Sequence, residues 1–483
     1  MRKIGDRNRF STIDGRYKRL GKNTILVFLG GAGSKLIGFL MLPFYTKYLS
    51  TAEYGVSDLI GTYSSILVSF VSCCIADAIF VFPKEADKDG RTKYFSSGVI
   101  FLFFSFLLFF LVSWLLSALN NSGNIEGTFI ERIWWIYLFT VTAYLQSYTQ
   151  QFTRSIDKMG VYSMTGVVHT LAVAIMSIVL IPQYGLTGFL SASVLSCVVS
   201  AVFSFTASGS YNYFSIKSFD FSYLKELLKF GIPLIPNGVM WWLVNGISRP
   251  ILEKTVGLDA IGIYSVAGKF PGILNMLFTL FMSAWGVSMI EEFHKPGFNA
   301  FFNKSIKMLT LFTLLGGSSI VVCSKIIIRI FAAPNYFEAW QYVPLLTLSV
   351  VLQNMSGLIG GVFMAQKKSK YFFYSSIWGA VTSLFFSFLL INIWGLFGAA
   401  ISAALSFVVM IVVRIKYAWP HINELDLKYL SLMFFLYLFL ITMVTINISG
   451  VITVIVFVLV VALMLLISRK ELIPLLKILK IVK

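Results

Sequence analysis

Charge is scarce in this chain. Asp, Glu, Lys and Arg make up 12% of its 483 residues, against roughly 25% in soluble domains, and the mean hydropathy is +0.82. That shortage excludes a soluble globular protein and leaves an integral membrane protein with room for about a dozen or more spans. Cysteine is scarce too. Cys73, Cys74, Cys197 and Cys323 all fall in apolar stretches, a pattern that fits neither a zinc site nor a disulfide framework and reads as small buried hydrophobes. Long polar loops are missing: the longest outer loop, about 119–130, is roughly a dozen residues, too short for an extramembrane catalytic domain. No His/Asp/Glu cluster stands out, which argues against a membrane polymerase or acyltransferase and implies no metal. A cleavable signal peptide is not expected either, because the first 22 residues are polar and basic and the next segment is long enough to span and stay.

What the chain does have is length in apolar windows. Helices are predicted near 24–46, 56–82, 94–118, 130–152, 161–181, 185–206, 230–253, 260–290, 305–330, 341–365, 371–392, 395–416, 428–446 and 450–467, about fourteen in all. Of the 39 Lys and Arg residues, 31 fall on one set of loops and tails. The opposite set holds Lys47, Arg132, Lys254, Lys325 and Arg329. Cytoplasmic loops carry the basic excess, so both termini are expected inside. The net charge of +18 is then topology, spread over short loops, and nucleic acid is not an expected partner. The tail from Leu475 to Lys483 puts Lys477, Lys480 and Lys483 on one helical face, suited either to the inner membrane surface or to solvent.

The sequence also repeats itself. Lys47–Gly55 (KYLSTAEYG) returns as Lys254–Gly262 (KTVGLDAIG). Tyr184-Gly185-Leu186-x-Gly188 returns as Trp394-Gly395-Leu396-x-Gly398. Asp157-Lys158 with Tyr162 returns as Gln366-Lys367 with Tyr371. The offsets, 207, 210 and 209, agree closely, so the chain is two similar halves of about six spans each. Secondary transporters are often built as paired repeats around a central cavity. The expected organisation is a basic tail (1–22), an N-lobe of helices 1–6 (23–206), a linker (207–229), a C-lobe of helices 7–12 (230–417), helices 13–14 (427–467) and a basic amphipathic tail (468–483).

Ionisable groups inside a span cost about 2.5–3.5 kcal/mol each on insertion scales, so they are the first candidates for function. Lys35 is flanked by Gly30, Gly31, Gly33 and Gly38. It suits a cavity cation or an ion pair; GGAGSK lacks the phosphate-loop spacing, and ATP binding is rejected. Arg249 shares a face with Asn245, Trp242 and Gly238, a set suited to a polar sugar- or phosphate-bearing ligand, or to snorkelling at the outer interface. Pro233 and Pro236 beside Gly231 and Gly238 fit either a hinge near the inner end of that helix or ordinary N-terminal helix geometry. Lys269 has Gly262, Ser265 and Gly272 on its face, too small to bury an ammonium against hydrocarbon. Asp58 opens a stripe with Gly61, Ser65, Ser69 and Ser72 that either lines a pathway or packs helices. Asp77 is a candidate coupling or ion-pair acid, with a buried Lys or Lys84 as partner. His169 suits a satisfied interior group rather than the alternative, a proton relay. Tyr137, Tyr144, Tyr148 and Gln151 share a face that either receives sugar rings or packs between helices.

Pro43-Phe44-Tyr45-Thr46-Lys47-Tyr48-Leu49-Ser50 with Glu53-Tyr54-Gly55, Val256 to Ser265 with Lys269, and the Tyr184 to Gly188 turn together resemble the Wzx-type exporters of O-antigen, capsule or exopolysaccharide units. These belong to the multidrug/oligosaccharidyl-lipid/polysaccharide (MOP) superfamily, and the likeness covers roughly 20–465. The resemblance implies an all-α fold of two six-helix lobes plus two C-terminal helices in the bacterial cytoplasmic membrane. It also implies movement of an undecaprenyl-diphosphate-linked oligosaccharide from the inner to the outer leaflet through a cationic cavity. Lys269, Arg249 and Lys35 are the residues that would furnish the charge, and polysaccharide polymerase and glycosyltransferases would be partners. No cofactor is implied, and the coupling ion, Na⁺ or H⁺, stays open. The competing readings are a lipid II flippase and a cation-coupled multidrug exporter of the same superfamily. Cationic cargo would favour buried acids, which are few here.

Overall fold

The structure is a computed structural model and describes residues 37–120 and 127–472. Every regular element among them is helical: α1 (Leu42–Tyr48), α2 (Thr51–Val71), α3 (Ile75–Val81), α4 (Lys88–Asn120), α5 (Ile133–Ser155), α6 (Met159–Ala207), α7 (Phe221–Gly231), α8 (Ile235–Asn245), α9 (Ser248–Thr255), α10 (Leu258–Glu292), α11 (Phe298–Phe331), α12 (Val343–Ala365), α13 (Ser369–Ile422), α14 (Leu427–Thr445) and α15 (Gly450–Ile467), with a single α-helical turn at Thr128–Glu131 and short 3₁₀ turns between some of them.

Two of these are too long to be single spans. Residues 31 apart on a straight helix stand about 46 Å apart, yet Ser200 Oγ and His169 Nδ1 on α6 are 3.4 Å apart. Likewise Ser387 Oγ and Ser402 Oγ on α13 lie 2.9 Å apart, and Arg414 Nε donates to Ser375 Oγ at 3.0 Å. Both helices therefore fold back on themselves. The reversal takes place at Gly185 (φ 51°, ψ −127°) and Gly395 (φ 56°, ψ −125°), a backbone region open to glycine. Three residues on, the turn closes tightly. A Cβ at Gly188 would stand 2.3 Å from the Leu180 carbonyl oxygen, and one at Gly398 2.0 Å from that of Leu390. Each long helix is thus two antiparallel spans, as the paired windows 161–181/185–206 and 371–392/395–416 anticipate.

The described residues divide into two compact units, one made of 37–44, 59–120 and 127–238, the other of 45–58 and 239–472. In the first, Ile75, Ala78, Ile79, Phe95, Tyr148, Phe152 and Leu227 form a fully buried core. The window predicted as one helix over 56–82 is broken here. Cys73 and Cys74 both adopt positive φ, 49° and 52°, and α2 and the α3 segment meet at a 60° bend. Gly231 fits beneath the break, where a Cβ would lie 2.1 Å from the Cys73 carbonyl oxygen. Cys73 and Cys74 are therefore half-buried residues of a helix break, and Cys323 is exposed; of the four, Cys197 alone is a buried hydrophobe.

In the second unit α12 is the central helix, with 78% of its most apolar stretch buried, and α10, α11 and α13 pack around it. Near the start of α11, Lys307 Nζ lies 2.7 Å from Asp426 Oδ2, 3.4 Å from Glu471 Oε1 and 4.9 Å from the Tyr429 ring. Asp426 also caps α14, its Oδ1 accepting from Tyr429 N at 3.0 Å. The Lys307 hydrogen bond holds the Asp426 carboxyl below its ordinary value of 3.8. A depressed carboxyl pKa contributes stability that is present above the unfolded value and lost as pH falls through the folded one. Acidifying the detergent-solubilised protein below about pH 4 should therefore remove this contribution, about 1 kcal/mol for a pair with one half-exposed partner. The Asp426→Asn variant should show a correspondingly shallower loss of melting temperature over the same range.

Candidate functional site

α2 starts with a capping box. Ser50 N and Oγ both donate to Glu53 Oε2, at 2.8 and 3.0 Å, and Glu53 N returns a bond to Ser50 Oγ at 3.3 Å. This fixes the first two turns of α2, which cross the first two turns of α10 at backbone contact. A Cβ on Gly55 would stand 2.1 Å from the Leu258 carbonyl oxygen, and one on Gly262 2.0 Å from that of Thr51. The crossing is reciprocal: residue 55 meets 258 and residue 51 meets 262, so each contact joins one member of an echoed pair (51/258, 55/262) to a member of the other. Thr51 Oγ1 donates to Asp259 Oδ1 beside it.

One turn deeper the charges meet. Arg249 Nε donates to Asp58 Oδ2 at 2.7 Å, with both side chains about one-fifth exposed (21% and 20%). Ser265 Oγ donates to Asp58 Oδ1 at 3.0 Å. Arg249 Nη1 donates to the Asn245 carbonyl at 2.5 Å, and the guanidinium lies 5.5 Å from the Tyr264 ring centre. The helix gives way at Gly246 and Ile247, between α8 and α9, which frees the Asn245 carbonyl for that bond. Lys269, one turn beyond Ser265, is exposed, with its ammonium beside the Tyr54 hydroxyl and in electrostatic reach of Asp58. Tyr54 is buried at 4% exposure and meets Tyr336 edge-on at 6.1 Å. Tyr336 in turn donates to the Leu49 and Ser50 carbonyls at 3.0 and 2.8 Å. Two cations thus share one carboxylate, and the cluster keeps one net positive charge.

Beside it lies a cavity of about 150 Å³ whose polar wall is Asn245, Ser248, Arg249, Tyr264 and Gln353, with Gly268 leaving it open toward α10. The arrangement can hold an anion or a hydroxylated group against a guanidinium, with an amide and a phenol at hand.

The remaining sequence candidates fall elsewhere. Lys35 lies outside the described residues. Arg249 is an ion-paired cation, not a free one, and Asp58 is its partner. Trp242 is half-buried against Gly246, off the polar wall that Asn245 joins. Tyr144 and Tyr148 take the packing alternative of their two readings and lie in the core. They are 2% and 1% exposed, and Tyr148 donates to the Phe95 carbonyl at 2.9 Å, so neither can face a ligand. Gln151 is half-buried in the same unit, and its Oε1 has no hydrogen-bond partner among the described residues. Asp77 is exposed in the first turn of α3 and makes no ion pair among the described residues, with Lys84 or any other base. Ser65 and Ser72 bond to their own helix, and Ser69 faces Gly238, so that part of the Asp58 stripe is packing. Just before α8 the chain tightens into a 3₁₀ turn over Ile232–Leu234.

Sequence reasoning missed Arg414. It falls in the larger basic set because the predicted window 395–416 ends two residues after it. In the structure it is 0% exposed, held by Ser375 Oγ and the Ser356 carbonyl and stacked 4.4 Å over Phe372. The signal was available: Met410, Ile411 and Ala418, one turn to either side, are all apolar.

A family profile described as polysaccharide biosynthesis protein matches residues 20–286. An amylovoran biosynthesis protein of Erwinia amylovora is 25% identical over 178 residues, which span 36% of this chain and 45% of that one. A capsular polysaccharide biosynthesis protein of Staphylococcus aureus is 24% identical over 403 residues, 80% and 96% of the two chains. Among solved structures, the lipid II flippase MurJ in an inward closed conformation superposes with a TM-score of 0.67 at 15% identity, covering 94% of this chain and 99% of that one. An inward-facing multidrug MATE transporter of the MOP superfamily gives 0.65 at 14% identity, covering 83% and 99%. At such identities the likeness is one of fold.

Proposed function

The chain belongs to the polysaccharide biosynthesis protein family, and from that premise we propose that it is a flippase. In this reading it moves undecaprenyl-diphosphate-linked oligosaccharide units from the inner to the outer leaflet of the bacterial cytoplasmic membrane by alternating access, with both termini cytoplasmic. The observation that carries the proposal is the Arg249–Asp58–Lys269 cluster, a cation-rich seat at membrane depth beside a polar cavity. Charged groups at that depth are costly and are retained for what they bind. A diphosphate offers oxygens that match the Arg249 fork and the Lys269 ammonium. The amide, hydroxyl and phenol groups of the cavity wall suit the first sugar. An anion leaving a negative interior gains about 2.3 kcal/mol per charge per 100 mV, so outward movement has a driving force without ATP.

Cationic drugs are disfavoured as cargo because the cluster is net positive. The test is reconstitution. The protein is placed in sealed vesicles carrying a fluorescent undecaprenyl-diphosphate oligosaccharide, and transfer between leaflets is read by a membrane-impermeant quencher. Protein-dependent transfer of the diphosphate lipid, with no transfer of the matching uncharged lipid-linked sugar, is expected. Equal transfer of both would contradict the reading.

A further inference from the structure

The cation seat is already filled by an anion of the protein's own. Asp58 presents one oxygen to Arg249 Nε at 2.7 Å and the other to Ser265 Oγ at 3.0 Å, with Lys269 close by. A carboxylate held between donors in this way has the charge and spacing of one end of a phosphate. We propose that Asp58 is a built-in competitor: it occupies the cation seat until an anionic headgroup displaces it, and its displacement releases the first two turns of α2 from α9 and α10. The proposal rests on the diphosphate reading above.

The argument is one of charge and of ties. Two cations balance Asp58 with one charge to spare. A diphosphate brought to the same cations while Asp58 stayed in place would set two anions against each other at contact range, so occupancy by one excludes the other. The donors that the headgroup would take are also what hold the start of α2. Arg249 and Ser265 hold it through Asp58, and Lys269 holds it beside Tyr54. The Thr51–Asp259 bond, the Tyr336 bonds to the Leu49 and Ser50 carbonyls and the glycine contacts of Gly55 and Gly262 would remain as the pivot about which these two turns swing. A ligand that binds one state of an element and excludes the other shifts its population by that difference in affinity. Headgroup binding and undocking of α2 are thus one equilibrium.

The full chain in lipid nanodiscs provides the test. The native cysteines Cys73, Cys74, Cys197 and Cys323 are replaced by serine, and Thr51→Cys with Asp259→Cys reports docking of α2 by its rate of disulfide formation. Undecaprenyl diphosphate is the probe and undecaprenol the control. The diphosphate should slow cross-linking about tenfold, and Asp58→Asn should slow it without ligand and bind the diphosphate about tenfold more tightly, a size within the range of a single coupled equilibrium. If Asp58→Asn is poorly folded, Ser265→Ala, which removes one of the donors holding the carboxylate, should shift both readouts the same way by less. Binding that depends on Arg249 but is unchanged or weakened in Asp58→Asn and Ser265→Ala, with cross-linking unmoved, would overturn the competitor and leave the flippase reading standing. Diphosphate binding no better than undecaprenol would bring down that reading, and the competitor with it.

Discussion

Lys269→Ala should remove surface polysaccharide from cells that depend on this protein while leaving its amount and membrane insertion close to normal. The two halves of that expectation have different physical origins. Lys269 is an exposed residue in an otherwise buried stretch of α10, so truncating it empties no packed volume, and the stability lost is that of its contact with Tyr54 beside Asp58, about 1 kcal/mol. Its loss from a headgroup seat is far larger. Charge-assisted hydrogen bonds contribute about 1.5–3 kcal/mol each, which weakens diphosphate binding roughly 10- to 150-fold. Arg249→Ala should remove polymer too, but less cleanly, because it also strips Asp58 of its closest partner in a pair that is about four-fifths buried and so lowers stability. Surface polymer is read by immunoblot, and insertion by membrane fractionation. Normal polymer in both variants would show that neither cation handles cargo.

Gly262→Val should produce the largest structural effect near the site. A Cβ at that position would lie 2.0 Å from the Thr51 carbonyl oxygen and 2.8 Å from its carbon. Both are backbone atoms, so no rotamer change relieves the contact and α10 must retreat from α2. Overpacking of this kind costs about 1–3 kcal/mol. The retreat also pulls Ser265, one turn along, away from Asp58, so transport should fall beyond what the reduced protein level explains. Gly188→Val is the control. Its Cβ would lie 2.3 Å from the Leu180 carbonyl oxygen, a similar backbone collision in the unit that holds none of the cluster. It should cost comparable stability yet leave transport per folded molecule intact. Equal transport per molecule in Gly262→Val would show that the α2–α10 crossing has no part in the cycle.

Much of this architecture was legible because apolar windows and glycine-bearing turns are local signals. The echo around Gly185 and Gly395 marked the two reversals, since few residues other than glycine tolerate that backbone. The third echo was read one residue out of register. Asp157 and Lys367 are the positions with positive φ, 62° and 57°, and the next backbone amides, of Lys158 and Lys368, bond back to Thr153 and Phe363. The equivalence is therefore Asp157 with Lys367, 210 residues apart. Side-chain type had suggested 209, but the helix-ending geometry, not the charge, is what repeats. The break at Cys73 and Cys74 was hidden because nothing in two consecutive cysteines predicts left-handed backbone; it follows from tertiary contact with Gly231. Within the site, Arg249, Asp58 and Lys269 were each visible as ionisable groups inside spans. That two of them pair could not be read from positions 191 residues apart. The Tyr144–Tyr148 face was ambiguous for a general reason: an aromatic stripe at helical spacing looks the same whether it faces a ligand or a core.

The central claim is that the cluster on α2, α9 and α10 receives the phosphate end of a lipid. It is tested most directly by titrating undecaprenyl diphosphate into the purified protein and into the Arg249→Gln/Lys269→Gln double variant, with binding read by native mass spectrometry. Saturable binding to the wild-type chain, weakened at least about tenfold in the double variant and absent for undecaprenol, is the predicted result. Equal binding of the diphosphate by both proteins would contradict the account.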